Sequence, residues 1–517
     1  MMTSPVLVGS GPPPPSGGRA RLRWPTLGIL AVSLLIVGLD ATVLNVALPT
    51  LVRELGASTG RLQWIVDIYA LMAGGLMLLG GSLADRLGRK RVFLAGLALF
   101  TGASVAAAYA GSVTTLMAAR AVMGIGEALI MPSTLAIIGD VFPDRAERTK
   151  AIGVWSAAVG AGTVIGPVLG GWLLSRFFWG SVFLINLPIG LVGLIAAALV
   201  VPGSRASVVR RIDPLGATLS VAAPAALLWA IIEGPTRGWR DPAVLGAFLL
   251  GLVLVAVFIT WEGRTPHPML PLRVFRHRAL AIGDVLIFMA AFAMIGTLFV
   301  LTQYLQFVLG YSAAQTGWRL GPMALALLAT GPLAGLLLQR LGLRVVSAAG
   351  LALVLAALIT FGTTADGDGY GRVVAVIVLL GAGAGFVITA TSDAIVGSLP
   401  DTDLGVGSAT NSSGIQLGAA TGVAVMGSLL SGRYGDELGR RLGAGTPSGV
   451  LRPAKESLGT ALLVAQRLPG RAGGVLADAA KSSFVAGMAP ALFTAAGVTV
   501  LGLLVALFAA RRSVSHR

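Results

Sequence analysis

The 517-residue chain has no cysteine, so disulfides, thiolate metal sites and cysteine redox chemistry are excluded. Its three histidines, His267, His277 and His516, all fall in polar segments between or beyond the apolar runs, and no metal site is supported. No GxxxxGK[ST] loop is present to cradle phosphate, and no nucleophile has a histidine partner. Neither ATP hydrolysis nor covalent catalysis is therefore supported, and the chain does not read as an enzyme. Charge is scarce as well, at 12% of residues. Apolar matter is abundant: 55% of residues are hydrophobic and the mean hydropathy is +0.86. A soluble domain of this length could not bury so much, and the chain belongs in a bilayer.

Fourteen apolar segments are long enough to span ~30 Å of hydrocarbon. They begin near residues 27, 63, 92, 114, 151, 181, 215, 243, 280, 320, 344, 372, 404 and 487. The expected fold class is an all-α membrane protein. Residues 1–24, rich in Pro and Gly, read as a disordered cytoplasmic tail and not as a secretory signal, because no small-residue cleavage site follows a short apolar core. Residues 511–517 read as a second cytoplasmic tail.

The formal charge of +16 has a topological origin. With the turn at Asp85 to Arg91 placed in the cytoplasm, inner segments carry 22 Lys/Arg. The short outer loops carry 7: Arg53, Arg61, Arg176, Arg237, Arg240, Arg319 and Arg372. A long outer segment, 431–486, carries 8, and Arg120 lies inside a span. Long translocated loops weigh little in the positive-inside rule, so the 22 to 7 contrast sets both termini inside. This distribution argues against a nucleic-acid partner.

Between Gly81 and Val92 the chain reads GSLADRLGRKRV, and 254 positions later, from Gly335, it reads GLLLQRLGLRVV. Gly, Leu, Arg, Leu, Gly and Val match in register, each time between two apolar runs. The echo marks a parallel duplication that pairs span two with span ten. Spans one to six (25–205) and nine to fourteen (266–510, including 431–486) are then two repeats, and 206–265 is an inserted helix pair. Gly162-x-x-x-Gly166 in span five falls opposite Gly418-x-x-x-Gly422 in span thirteen, where glycines let helix backbones approach. Glycine is frequent here, 71 in all, so that second match is weaker.

Ionisable groups inside a span are costly and need a partner, a watery cavity or a task. Asp40 lies ~13 Å below the outer end of span one and Arg120 ~10 Å below the outer end of span four, at 1.5 Å per residue. Their depths agree, which predicts a buried pair. Burial disfavours a charge on Asp40 and a guanidinium favours it, so a small rearrangement can switch its proton. The competing reading is a permanent salt bridge that locks the helices. Glu127, two turns beyond Arg120 on the same face, is either a second protonatable or cation-binding group or the ion partner of another helix. Asp67, beside Trp64 and Tyr69 near the outer end of span two, either attracts cationic substrate or protons or faces headgroup water. Ala454–Leu468 has apolar residues at helical spacing and predicts an interfacial helix that covers a cavity mouth or merely connects.

The stretch Gly81 to Arg91 resembles the cytoplasmic turn motif of the major facilitator superfamily, and G-x-x-x-G-P-x-x-G-G at Gly162 to Gly171 resembles its antiporter motif. LDATVLNVALP (Leu39 to Pro49), QWIVDIYAL (Gln63 to Leu71), LMAARAVMGIGEALIMPSTL (Leu116 to Leu135) and FLINLPIG (Phe183 to Gly190) are similar to the fourteen-span drug:proton antiporters of the EmrB/QacA type. The likeness covers most of the chain. It implies two six-helix bundles about a central cavity, two extra helices outside, and export of amphiphilic drug-like or antibiotic-like compounds driven by inward proton flow. The site it implies is in a bacterial cytoplasmic membrane, needs no cofactor beyond the proton gradient, and is built in a monomer whose partners are substrate, protons and lipids. Rival readings are a lipid or metabolite exporter on the same scaffold, or an uncoupled facilitator or receptor.

By the same resemblance, the acid and arginine at Asp40 and Arg120 take part in coupling, and similar exporters of organic cations keep the acid at Asp67. The turn motif stabilises the outward-open state. Its residues have separate tasks: Gly81 and Gly88 allow a tight reversal, Asp85 meets the positive end of a neighbouring helix, and Arg86, Arg89, Lys90 and Arg91 anchor at anionic lipid. In span five, Gly162, Gly166, Pro167 and Gly170 read as a packing seam between halves. The chain departs from the family in three ways. Met123 stands where Gln is usual, Glu127 where a small residue is usual, and Leu327, Asn411, Ser412 and Gln416 where exporters of multivalent cations place acids. A neutral cavity with Trp155, Phe288, Phe292, Phe299, Gln303 and Tyr304, beside Asn411 and Gln416, suits a monovalent or neutral amphiphile. For any single aromatic, core packing is the alternative.

Overall fold

The computed structural model describes residues 22–205, 212–365, 369–398, 404–443 and 446–509, and no strand occurs among them. Both expected tails, apart from residues 22–24, lie outside the described residues. The first spans are α1 (Arg23–Leu55), α2 (Thr59–Leu87), α3 (Arg89–Ala108), α4 (Val113–Val141) and α5 (Arg145–Arg176), followed by the short α6 (Ser181–Leu184) and α7 (Asn186–Val200). Then come α8 (Pro214–Arg237) and α9 (Pro242–Arg264). The second series is α10 (Arg278–Gln303), α11 (Ala313–Arg319), α12 (Gly321–Gly362), α13 (Tyr370–Ser398), α14 (Leu404–Leu442), α15 (Ser448–Glu456), α16 (Leu458–Arg467) and α17 (Arg471–Ala509).

Thirteen helical stretches are long and apolar enough to cross a membrane, one of them the 50-residue Ala313–Gly362. That stretch is broken at Gly342, where φ is +74°, so fourteen spans result. The break falls on the second copy of the sequence echo, and its counterpart Gly88, between α2 and α3, has φ +105°. Only glycine enters that region without strain, so one backbone device makes the same reversal in both copies.

The glycine match is also structural. A Cβ on Gly162 or Gly166 would collide with the α1 backbone or Thr42, and one on Gly418 or Gly422 with the α10 carbonyls of Phe288 or Phe292. The fifth helix of each series is thus seated on the first. This corrects the seam reading of span five, because Gly162, Gly166 and Gly170 face α1 of their own series. Contact with the other series is made by Gly171, whose Cβ would meet the Ala313 carbonyl, and by the Pro167 carbonyl against Gly317 of α11.

The two series are joined by hydrogen bonds from the end of the molecule where α1 turns into α2 down to the middle of α2. Gln306 Nε2, in a π-helical turn over Tyr304–Val308, donates to the Val46 carbonyl at 2.8 Å. Gln63 of α2 donates to the Ala424 carbonyl of α14 at 2.8 Å, and Ser413 Oγ to the Gly74 carbonyl at 2.8 Å. In α5, by contrast, the half beyond Gly162 towards Arg145 leaves Val154 42% exposed.

Of the inserted pair, α8 packs on both series. Ser220 Oγ donates to the Gly75 carbonyl and Ser428 Oγ to the Ile231 carbonyl, each at 2.7 Å, and Leu228 and Ile232 cluster with Ala70, Leu71, Ala420 and Ala424. The outer neighbour α9 keeps Leu249 62% exposed, as a lipid-facing helix does.

Among the described residues of 431–486, most are helical. The helix α14 runs on to Leu442 and α17 already starts at Arg471. The single helix expected over Ala454–Leu468 is two, because Ser457 is extended and caps α16, its Oγ accepting the Thr460 N–H at 3.1 Å. Leu458, Ala461 and Ala465 are buried. Gly459 lies on Val52 of α1 and Phe307 of the π turn, and Thr59 Oγ1 donates to the Glu456 carbonyl. The segment therefore sits over the joint between the two series.

Candidate functional site

Leu, Val and Ile build α1 as a buried helix, and in its middle Asp40 is 0% exposed. Arg120, on α4, is 2% exposed and forms an ion pair with Asp40 Oδ2. The guanidinium is held on its other sides too. Its Nε donates to the Ile65 carbonyl at 3.3 Å, and its Cζ stands 4.0 Å from the centre of the Tyr69 ring. Charge pairing, a backbone acceptor and a π face together offset the desolvation of a buried arginine. Asp40 Oδ1 has no hydrogen-bond partner, although Asn186 lies next to the carboxylate while its Nδ2 donates to Ser104 Oγ at 3.1 Å.

Two turns along α4, Glu127 is also buried. Its partner is an amide, not a cation: Gln416 Nε2 of α14 donates to Glu127 Oε1 at 2.7 Å. Oε2 has no partner, and the Tyr69 hydroxyl faces Glu127 without reaching hydrogen-bond geometry. Tyr69 thus lies on Arg120 with its ring and near Glu127 with its hydroxyl. Asp40, Arg120, Tyr69, Glu127 and Gln416 form one polar chain from α1 to α14, linking the two series. Replacing Gln416 with leucine strips the donor from a buried carboxylate. We expect a loss of about 1–3 kcal/mol, read as a lower unfolding temperature in detergent, with Gln416→Asn recovering only part because its amide is one methylene shorter.

The remaining candidates divide. Asp67 is fully buried and neither of its oxygens has a partner. It does not face headgroup water, because Gln63 and Gly74 on the same helix lie against α14. Trp64 packs instead with the cluster around α8 and is removed from the polar chain. Trp155 is half-buried and donates from Nε1 to Thr134 Oγ1 at 2.9 Å. Phe288 and Asn411 are half-buried, and Asn411 Oδ1 has no partner. Phe292, Phe299, Gln303 and Tyr304 are core residues and do not line a cavity: each is at most 3% exposed, Gln303 donates to the Phe299 carbonyl at 3.1 Å, and Tyr304 packs edge-on to Phe361. They lie in the half of α10, and at the start of the π turn that follows it, where the two series are closed.

At the turn, Asp85 meets the start of α3 through the side chain of its first residue, Arg89. It accepts from Arg89 at 3.3 Å, and Arg89 also pairs with Asp140 and donates to the Ala136 carbonyl at 3.1 Å. Gly81 is open towards Pro132, and Arg86 is exposed.

One acid escaped the sequence reading. Asp284, seven residues into α10, is half-buried, with both oxygens inaccessible and unpartnered. It lies near Thr410 of α14, and its carbonyl packs against Gly414. Its signal was the one that marked Asp40, an acid within an apolar run, overlooked because it sits close to the start of its span. Among the described residues no group of three or more His, Asp or Glu side chains could hold a metal.

Residues 30–423 match the family model described as Major Facilitator Superfamily. The chain is 34% identical, over 98% of its length and 94% of the relative's, to the tetracenomycin C resistance and export protein of Streptomyces glaucescens. It is 36% identical to the methyl viologen resistance protein SmvA of Salmonella typhimurium (93% and 96% covered). To the multidrug efflux pump LfrA of Mycolicibacterium smegmatis it is 33% identical (96% and 98% covered). Among solved structures it resembles a bacterial homolog of the human lysosomal transporter Spinster, inward-facing and occupied, with a TM-score of 0.64 at 17% identity, covering 96% of this chain and 98% of that one. A fold of fourteen apolar helices, a polar chain crossing its interior, and relatives of this length and identity lead to one conclusion: the chain belongs to the Major Facilitator Superfamily, an integral membrane transporter and not an enzyme.

Proposed function

We propose that the protein exports amphiphilic drug-like or antibiotic-like compounds in exchange for inward-moving protons, by alternating access. The observation that carries this is the buried Asp40–Arg120 pair, in which one carboxylate oxygen is left without a donor. A proton arriving there neutralises the acid and weakens its hold on Arg120, which Ile65 and Tyr69 still retain. Export resistance in the relatives supports the same direction of transport.

In this reading both termini are cytoplasmic, the α1–α2 end is outer, and the closed contacts at Gln306, Gln63 and Gly317 describe an inward-facing carrier. Asp40 takes its proton when the carrier faces out and loses it to the cytoplasm as substrate binds. Glu127, Asp67 and Asp284 are further intramembrane acids available to protons or to a substrate cation. Glu127 is the one tied directly to α14, through Gln416, so its occupancy bears on how the two series meet. Neutral Asn411 and Gln416, with Phe288 and Trp155, suit a monocationic or neutral amphiphile better than a dication.

The test uses inverted membrane vesicles containing the protein, with ethidium as a monocation, methyl viologen as a dication and chloramphenicol as a neutral compound. Uptake of at least one compound that saturates, needs an inside-acid gradient and collapses with a protonophore is the expected result. Uptake that ignores the gradient would leave a facilitator in place of an antiporter, and no uptake from a wider panel would remove drug export.

A further inference from the structure

Where α2 turns into α3, the side chains of Arg86, Arg91 and Arg205 converge on one groove of about 520 Å³, completed by Leu87, Val92 and Ala95. Arg205 arrives from a separate part of the chain, beyond α7. Backbone fixes it there: the Arg89 N–H donates to the Ser204 carbonyl at 3.1 Å, and Arg205 Nε lies 3.5 Å from where a Cβ on Gly88 would be. None of the three guanidinium groups has a hydrogen bond or ion pair among the described residues. The neighbouring charges are engaged elsewhere, because Asp85 and Asp140 hold Arg89 and Lys90 Nζ donates to the Ala198 carbonyl at 2.8 Å.

Three like charges gathered by the fold with no acid among them repel one another until an anion arrives. Guanidinium groups match phosphate by paired N–H donors. The rest of the lining is apolar, with Leu87 49% exposed and Ala95 exposed, as is Ala98 beyond the groove along α3, as a surface meant for acyl chain would be. We propose that this groove binds the phosphate of an anionic glycerophospholipid, with its chain running along Leu87, Val92 and Ala95. Arg205, which belongs to no turn motif, makes the site specific to this chain's α7–α8 connection. An anionic lipid here ties the α2–α3 turn to the end of span six, so the lipid bears on the motif that moves in transport.

Purified full-length protein in neutral detergent is titrated with phosphatidylglycerol or phosphatidylcholine, and bound lipid is counted by native mass spectrometry. Wild type is expected to retain phosphatidylglycerol preferentially. The R91A/R205A double variant should bind it roughly 10- to 30-fold more weakly, at about a kcal/mol per arginine, with phosphatidylcholine retention and unfolding temperature unchanged. Should the double variant fail to fold, R205Q alone is expected to lose roughly fivefold. Equal phosphatidylglycerol retention in wild type and a folded variant overturns the proposal. Displacement of the lipid by an equal concentration of inorganic phosphate also overturns it, by assigning the arginines to a free anion.

Discussion

Replacing Arg120 with leucine is expected to remove about 3–5 kcal/mol of stability, measured as thermal unfolding in detergent, because it strands Asp40 as an unpaired buried carboxylate. Asp40 is 0% exposed and its Oδ1 already lacks a donor, so losing Arg120 takes away the donor that Oδ2 has. Lysine should not rescue the site: its point charge cannot both reach Asp40 and donate to the Ile65 carbonyl while lying on the Tyr69 ring. The double replacement of Asp40 and Arg120 by leucine separates two roles for the pair. Apolar residues of similar volume often restore the stability that breaking a buried pair removes. If the pair only locks α1 to α4, the stable double variant should still transport. The coupling role predicts a protein that is folded and transports nothing against a gradient.

Leucine at Gly317 should act on one conformation alone. A Cβ at that position collides with the Pro167 carbonyl, and the same pair of helices touches again where Gly171 meets Ala313. Overpacking costs roughly 1–3 kcal/mol, and here it falls on the state in which the α1–α2 end is shut. At 1.4 kcal/mol per tenfold, the closed state should lose roughly 5- to 150-fold in population, and turnover with it. Because the chain has no cysteine, reporters can be placed without background. Spin labels at the exposed Arg176 and Trp318 should give a longer mean distance in Gly317→Leu than in wild type. An unchanged distance distribution would mean that this contact does not govern closure.

Much of the fold was legible in the sequence because membrane helices announce themselves by length and apolarity, and because the duplicated turn repeats its glycine. Gly88 and Gly342 share a positive φ for the same reason that they share a sequence neighbourhood. The Asp40–Arg120 pair was legible from matched depths, since few partners exist for an ion inside a bilayer. What a side chain meets across a helix interface was not. Nothing in the chain tells Glu127 to find Gln416, 289 residues away, nor turns the span-five glycines towards α1. The aromatic residues near the end of α10 were misjudged because exposure to a cavity depends on which end of the carrier is open. Phe292, Phe299 and Tyr304 are buried where the two series close, while Phe288, lower on the same helix, is only half-buried.

Whether Asp40 carries the proton is tested most directly in inverted vesicles holding a pH dye, made inside-acid, to which a transported compound is added. Wild type should release protons from the lumen in step with compound uptake, and Asp40→Asn, which keeps the shape and an acceptor for Arg120 but cannot exchange a proton, should bind the compound and release none. Proton release at the wild-type rate in Asp40→Asn would contradict the account.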